Sequence, residues 1–161
     1  MRTLCAAILL MLFAALVHSA DLNGRVSWVY DGDTLLVEPI GKVRLIGIDT
    51  PEYQDSSRDR FYTQRFHIPP EKLRRIAGQA KKFAIETVKG KNVRLELTAE
   101  RYDKHGRTLA YVYLEDGEML NRLLLEKGLA TVFRRYNFKE KQTFLEHEQK
   151  ARRAKVGLWA P

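Results

Sequence analysis

Four carboxylates stand at two places where the chain is predicted to turn, and together they could bind a metal ion. Asp31 and Asp33 flank a glycine. Asp49 and Glu52 close the run Val-Arg-Leu-Ile-Gly-Ile-Asp-Thr-Pro-Glu at residues 43–52. Oxygen ligands of this kind suit Ca²⁺ or Mg²⁺ better than they suit a soft metal. Each aspartate alone is also ordinary turn chemistry, so the metal hypothesis depends on a fold that brings the two turns together.

Two arginines could extend this group into a phosphate site. Arg44 lies among apolar residues, where a charged side chain normally needs a partner or a ligand. Arg107 follows a glycine in a predicted turn, where a solvent-exposed salt bridge is the alternative role. Guanidinium groups bind phosphate in a two-pronged contact, so this set could clamp a phosphodiester. Arg44 and Asp49 are an odd number of residues apart, however, and converge only if their strand bulges, coils strongly or ends early.

β-Prone runs predict five strands that could position these residues, at residues 24–30, 34–38, 42–48, 92–100 and 108–115. The first three are joined by short turns, one of them Asp-Gly, which indicates an antiparallel meander. Apolar residues at helical spacing predict a helix from Pro70 to Gly90, and weaker patterns predict helices near 120–124 and over 139–155. The predicted class is α+β, a five-stranded OB-fold β-barrel with about three helices.

The later part of the chain allows finer predictions. Asn121 is a possible cap of the short helix and Gly128 its stop, with an extended piece at residues 129–133. The last helix has four predicted inward-facing residues, namely Phe144, Leu145, Ala151 and Ala154.

Residues 50–69 lack hydrophobic periodicity and are predicted to form a long loop, which we expect to modify substrate entry. Three arginines alternate there with aromatic residues. This mixture suits single-stranded nucleic acid, because rings stack on bases and arginines contact phosphates. Packing of the aromatic residues against the barrel is an equally good interpretation.

Residues 1–20 have the pattern of a secretory signal peptide, which leaves residues 21–161 as a single domain. Arg2 precedes an uncharged apolar run over residues 4–17, which is short for a membrane anchor. Cys5, the only cysteine, lies in this segment, so disulfides, cysteine-based zinc sites and thiol catalysis are excluded for residues 21–161. We expect a secreted or periplasmic protein.

The formal net charge of +8 favours binding to polyanions, which include nucleic acid, acidic polysaccharide and anionic lipid. Charge alone does not choose among these partners.

Several segments in the same order resemble the staphylococcal nuclease (thermonuclease) family. They include Asp31-Gly32-Asp33-Thr34, residues 43–52 and Asp-Lys-His-Gly-Arg-Thr-Leu-Ala-Tyr at residues 103–111. Shorter matches are Leu-Asn at 120–121, Gly-Leu-Ala at 128–130 and Gly-Leu-Trp at 157–159. The resemblance implies an OB-fold enzyme that uses Ca²⁺ to hydrolyse DNA and RNA and leaves 3′-phosphate ends.

The resemblance also implies a metal site. Asp33 and Asp49 would bind Ca²⁺, with the Thr50 carbonyl oxygen as a third ligand. Glu52 would position or deprotonate the attacking water, and Asp31 would support the site from outside.

The resemblance further implies residues that contact the substrate. Arg44 and Arg107 would bind the phosphate and stabilise the transition state, and Lys104 would contact the nucleotide. His105 stands where the family often has a tyrosine, and Arg134 stands near another, so both are candidate substrate-binding residues.

These observations together predict an exported, calcium-dependent nuclease, monomeric and without stable membrane association after signal cleavage. One alternative is a non-catalytic OB-fold protein that binds single-stranded nucleic acid, which would have no use for Glu52 beside metal ligands. A second is a surface protein that binds acidic polymers through charge alone.

Overall fold

Strands and helices follow one another over residues 21–161, the part of the chain that the computed structural model describes. The predicted signal segment and Cys5 lie outside these residues, and the division at residue 20 stays a prediction. The elements are β1 (Asp21–Val29), β2 (Thr34–Glu38), β3 (Gly41–Leu45), β4 (Ile48–Asp49), α1 (Asp59–Phe66), α2 (Pro70–Val88), β5 (Asn92–Tyr102), β6 (Thr108–Tyr113), α3 (Leu120–Glu126), β7 (Thr131–Val132), α4 (Lys141–Arg153) and a 3-10 turn (Gly157–Trp159).

Five strands close into a barrel in the order β1-β2-β3-β6-β5. The neighbours are antiparallel except β3 and β6, whose parallel pairing closes the barrel. Strand alternation directs one face of each strand inward, including the buried residues Leu35, Val37, Val43, Leu45, Leu95 and Leu97. The α+β class and the OB-fold barrel are confirmed. The described residues form four α-helices, whereas about three were predicted.

Helix α2 confirms the prediction made from its apolar spacing. A proline stands in its first turn, and its buried stripe comprises Leu73, Ile76, Ala77, Ala80, Ala84 and Val88. Within residues 21–161, no helix combines the length and the apolar character needed to cross a membrane.

The predicted third strand, at residues 42–48, is divided by a turn. β3 ends at Leu45, and the chain turns at Ile46 and Gly47 before β4 begins. Gly47 has a φ of +79°, a left-handed conformation that glycine adopts without steric cost. β4 then leaves the barrel and pairs with β7 in a separate two-stranded sheet. Arg44 and Asp49 therefore lie on different strands, because the predicted strand ends early, and strand alternation does not force their side chains to opposite faces.

The prediction of a long loop over residues 50–69 is wrong, because helix α1 occupies part of it. Tyr62 on this helix is fully buried, and Phe61 and Phe66 pack against the core. The rings of Phe61 and Phe66 meet edge to face at 5.4 Å, and Phe66 meets Trp159 at 5.2 Å. Phe61, Tyr62 and Phe66 therefore pack against the body of the protein, whereas Tyr53 of the same segment is 67% exposed.

Asn121 does not cap α3, contrary to the prediction. It is fully buried, accepts a hydrogen bond from the Val112 N–H at 3.0 Å, and donates one to the Ile46 carbonyl at 2.9 Å. Because both partners are main-chain groups, Asn121 ties strand β6 to the turn that precedes β4. Gly128, with a φ of +64°, follows the end of α3 as predicted.

Helix α4 buries Phe144 and Ala151 as predicted, while Leu145 is half-buried and Ala154 is exposed. Glu148 is buried on the inner face instead. A buried carboxylate needs partners, and Glu148 forms ion pairs with Arg134 and Arg152 and accepts from the Val132 N–H at 2.9 Å.

Candidate active site

Asp33 is the buried end of the turn that joins β1 to β2. One carboxylate oxygen accepts hydrogen bonds from the Thr50 N–H at 2.8 Å and the Thr50 hydroxyl at 3.0 Å. The other accepts one from the Thr34 hydroxyl at 3.2 Å. The Asp33 N–H donates to the Asp31 carboxylate at 3.0 Å, so Asp31 shapes the turn from behind. These contacts bring the two predicted acidic turns together.

Arg44 lies between the two buried aspartates. Its guanidinium forms ion pairs with Asp33 and with Asp49, the latter at 3.0 Å, and donates to the Ile48 carbonyl at 3.2 Å. Burial lowers the pKa of Arg44, and the charges of Asp49 and Asp31 oppose that shift. The carboxylates therefore stabilise the charged form of the Arg44 guanidinium at the end of β3.

The second carboxylate oxygen of Asp49 is held by Arg58, the residue just before α1, and by Tyr62 of α1, neither of which was predicted to contact the acidic group. Arg58 donates to it from Nε at 3.1 Å and from Nη2 at 2.6 Å. The Tyr62 hydroxyl lies 3.3 Å from the same oxygen and 3.1 Å from the Asp49 carbonyl. Arg58 and Tyr62 are four residues apart, so their shared target would have been visible only if the segment had been recognised as a helix.

Glu52 lies three residues after Asp49, which together with Asp33 forms the acidic pair of the site. The residue is exposed, and its carbonyl accepts a hydrogen bond from Arg74 of α2 at 2.6 Å. Partial loss of hydration, followed by the charges of Asp31 and Asp49, raises the pKa of its carboxyl, against the opposing effect of nearby arginines. A carboxylate with a raised pKa close to other acids suits a proton acceptor.

Arg107 enters the site from the turn before β6. Two of its guanidinium nitrogens bind the Asp103 carboxylate, each at 2.7 Å, and a third lies 3.5 Å from the Thr34 hydroxyl. Its positive charge also lowers the pKa of Arg44, as a like charge does. Asp103, to which sequence reasoning gave no role, holds Arg107 in place.

The three remaining candidates, predicted to bind substrate, differ in position. Lys104 and His105 are exposed in the turn that carries Arg107. The structure does not bring Arg134 to this group. Its guanidinium contacts Glu148 and the Val132 carbonyl, and so it supports the junction of α4 with β7.

The acidic pair suits a hard cation by its chemistry, since Asp33, Asp49 and the Thr50 carbonyl offer only oxygen atoms. Within residues 21–161, no three acidic or histidine side chains are already disposed around a common point as metal ligands. The four carboxylate oxygens of the two aspartates accept from protein donors, among them Arg44 and Arg58. A bound cation would therefore take the place of guanidinium contacts.

Comparison with known proteins places the chain in a family. Residues 42–161 match a family model described as staphylococcal nuclease homologue. A thermonuclease of Staphylococcus hyicus is 32% identical over 151 residues, which cover 91% of this chain and 81% of that protein. An uncharacterized endonuclease of Escherichia coli is 32% identical over 156 residues, which cover 95% and 87%. An uncharacterized protein of Methanocaldococcus jannaschii is 37% identical over 147 residues, which cover 84% and 70%. As its motifs predicted, the chain belongs to the staphylococcal nuclease family.

Proposed function

We propose that this chain is an exported, calcium-dependent nuclease that hydrolyses DNA and RNA and leaves 3′-phosphate ends. Its family and its nuclease relatives support the coarser statement, that the chain is a phosphodiester-hydrolysing nuclease. The observation that carries the proposal is that Arg44 of β3 pairs with both buried aspartates, Asp33 and Asp49, with Arg107 and Glu52 among the charges that act on it. The calcium requirement, the products and the export are the proposed part.

Asp33, Asp49 and the Thr50 carbonyl would hold Ca²⁺ between them. When bound, the ion supplies positive charge that makes a phosphodiester a better electrophile. Asp31 keeps Asp33 in position through the turn hydrogen bond at 3.0 Å.

Glu52 would orient the attacking water and accept its proton. Its backbone carbonyl is held by Arg74 at 2.6 Å, and the charges of Asp31 and Asp49 add to the desolvation that raises the pKa of its carboxyl. A raised carboxyl pKa makes the carboxylate a stronger base near neutral pH.

Arg44 and Arg107 would neutralise the charge that builds on the phosphate in the transition state. A guanidinium stays charged throughout the reaction and donates in the geometry that phosphate oxygens accept. Asp103 orients Arg107, and both aspartates orient Arg44, so the donors are already arranged before substrate arrives.

The test is the release of acid-soluble nucleotides from DNA and from RNA, with Ca²⁺ and with chelator. Arg44→Ala, Glu52→Gln and Arg107→Ala should each lower the rate by about 100-fold or more, which is typical for the loss of one transition-state contact. Arg94→Ala is the matched control, because Arg94 pairs with Asp21 on β1. Full activity in chelator, or in all three site variants, would refute the proposed mechanism.

The same experiment distinguishes the proposed nuclease from the main alternative. A single-strand-binding OB-fold protein without catalysis would retain nucleic acid in a filter-binding assay and release no nucleotides, whatever the cation. End analysis of the products tests the 3′-phosphate, and fractionation of the producing cells tests export and the secreted or periplasmic location. Sedimentation of the purified chain tests the expected monomer.

A further inference from the structure

Arg58 is the guanidinium of the site that lies at the N-terminal end of α1, as the residue just before the helix. It takes one oxygen of Asp49 with two donors while Arg44 takes the other oxygen, so the carboxylate lies between two arginines. The Arg58 guanidinium also lies 5.0 Å from the centre of the Phe61 ring and 5.7 Å from that of Phe133. Two rings thus keep it at the rim of the site.

The two arginines differ in their freedom to move. Arg44 is held by both aspartates and the Ile48 carbonyl, and its side chain is 15% exposed. The Arg58 side chain is 37% exposed, and Asp49 is its only ion-pair partner among the described residues. The charge of Arg58 also lowers the pKa of the Glu52 carboxyl, after the larger effect of Arg44.

We propose that Arg58 exchanges partners during substrate binding, from Asp49 to a phosphate of the nucleic acid. This inference rests on the proposed function. A divalent cation that takes the Asp49 oxygens repels a guanidinium on the same carboxylate, and the more exposed arginine is the one that can leave. A phosphodiester oxygen then offers the released guanidinium a charge-assisted contact.

The exchange predicts two opposite effects of one substitution. Arg58→Ala removes the competitor for Asp49, so calcium should bind roughly tenfold more tightly, as expected for the loss of one close like charge. The same variant lacks a phosphate contact, so a single-stranded oligonucleotide should bind roughly tenfold more weakly in saturating Ca²⁺. A residue that only supports the fold would not produce effects of opposite sign.

Calcium binding is measured by calorimetry without substrate. Oligonucleotide binding is measured by fluorescence anisotropy in a Glu52→Gln background, in which cleavage is slow. Arg60→Ala is the matched control, because Arg60 is exposed in the first turn of α1, two residues after Arg58. Arg58→Lys keeps the charge but not the paired donors, so it should leave calcium affinity near that of the wild type and give an intermediate oligonucleotide affinity.

Each outcome decides the matter. Opposite shifts in Arg58→Ala, with Arg60→Ala like the wild type, support the exchange. An unchanged value in either measurement, or weaker binding of both ligands, overturns it. A wild-type chain that binds no calcium overturns the calcium part of the proposed function and the exchange with it. A wild type that binds calcium, combined with an unresponsive Arg58→Ala, overturns the exchange alone.

Discussion

Asp49 shows at the residue scale why the site depends on its surroundings. Its carboxylate is nearly buried, yet it accepts from Arg44 of β3 and from Arg58 and Tyr62 beside or on α1. Loss of this carboxylate would leave Arg58 without its ion-pair partner and Arg44 with Asp33 alone. The aspartate and its arginines therefore form one electrostatic unit.

His147 gives a prediction that concerns stability and not catalysis. It lies on α4 with its Nδ1 2.9 Å from a Glu126 carboxylate oxygen, and burial lowers its pKa despite that neighbour. In the unfolded chain the pKa is about 6.5, so below that pH the unfolded state binds more protons. The contribution of His147 is thus fully present above about pH 6.5 and is lost as the pH falls toward the folded pKa.

We therefore expect His147→Gln to flatten the decline in the free energy of unfolding below about pH 6.5. Urea unfolding at a series of pH values measures this slope. Exposed His67, which has a φ of +56°, supplies the control His67→Asn, since asparagine tolerates that conformation. An acid slope that stays the same in His147→Gln would show that other groups cause it.

At the scale of elements, the turn at Gly47 decides whether Arg44 and Asp49 meet. A Cβ on Gly47 would lie 2.5 Å from a ring carbon of Phe138, and its φ of +79° disfavours any other residue. We expect Gly47→Ala to lower the free energy of unfolding by roughly 2–5 kcal/mol, from the conformational cost and the overlap together. Urea unfolding gives this value, and nuclease activity should fall with it because Asp49 follows the turn.

Gly117→Ala separates the two causes. Gly117 has a φ of +85°, but a Cβ there meets nothing within 4 Å. It should cost only about 1–2 kcal/mol, the penalty of the left-handed conformation. Equal losses in the two variants would mean that the Phe138 contact does not constrain the turn.

Elements with a regular apolar pattern were predictable from sequence, and elements held by distant partners were not. Helix α2 shows its buried stripe in the sequence, whereas α1 has eight residues and depends on the burial of Tyr62. Asn121 resembles a cap because its true partners, Val112 and Ile46, lie in other elements. Glu148 resembles a solvent-exposed residue of α4 for the same reason.

The same distinction applies to the site. The spacing of Asp33, Asp49 and Glu52 identified the acidic group, and a family motif identified Arg107. The contact of Arg58 with Asp49 was not predicted, because it requires α1 to pack beside β4, and local sequence carries no signal of that packing.

At the scale of the molecule, closure of the barrel assembles the site. The parallel pairing of β3 with β6 places Arg44 beside Leu109, and so brings the turn before β6, with Arg107, to the end of β3. Asp33 lies in the turn between β1 and β2, and β2 is the neighbour of β3 in the barrel. Because these parts are far apart in sequence, the complete site exists only in the folded chain.

Calcium binding should therefore stabilise the whole molecule. A ligand that binds only the folded state, at about 100 times its Kd, adds about 2.7 kcal/mol to the free energy of unfolding. We expect the unfolding temperature in Ca²⁺ to exceed that in chelator, and the difference to vanish in Asp33→Asn, which keeps the shape of the side chain but not its charge. Differential scanning calorimetry of both proteins, with and without the ion, measures the effect.

Asp21→Asn is the control for a removed carboxylate charge, since Asp21 is exposed on β1 and pairs with Arg94. It should retain the full difference between calcium and chelator. If Asp33→Asn were stabilised by calcium as much as the wild type, the ion would be acting elsewhere on the surface.

The size of the wild-type difference between calcium and chelator also depends on the arginines that contact Asp49. In the proposed site a cation takes the place of guanidinium contacts on Asp49, so Arg58→Ala should show a larger stabilisation than the wild type at the same calcium concentration.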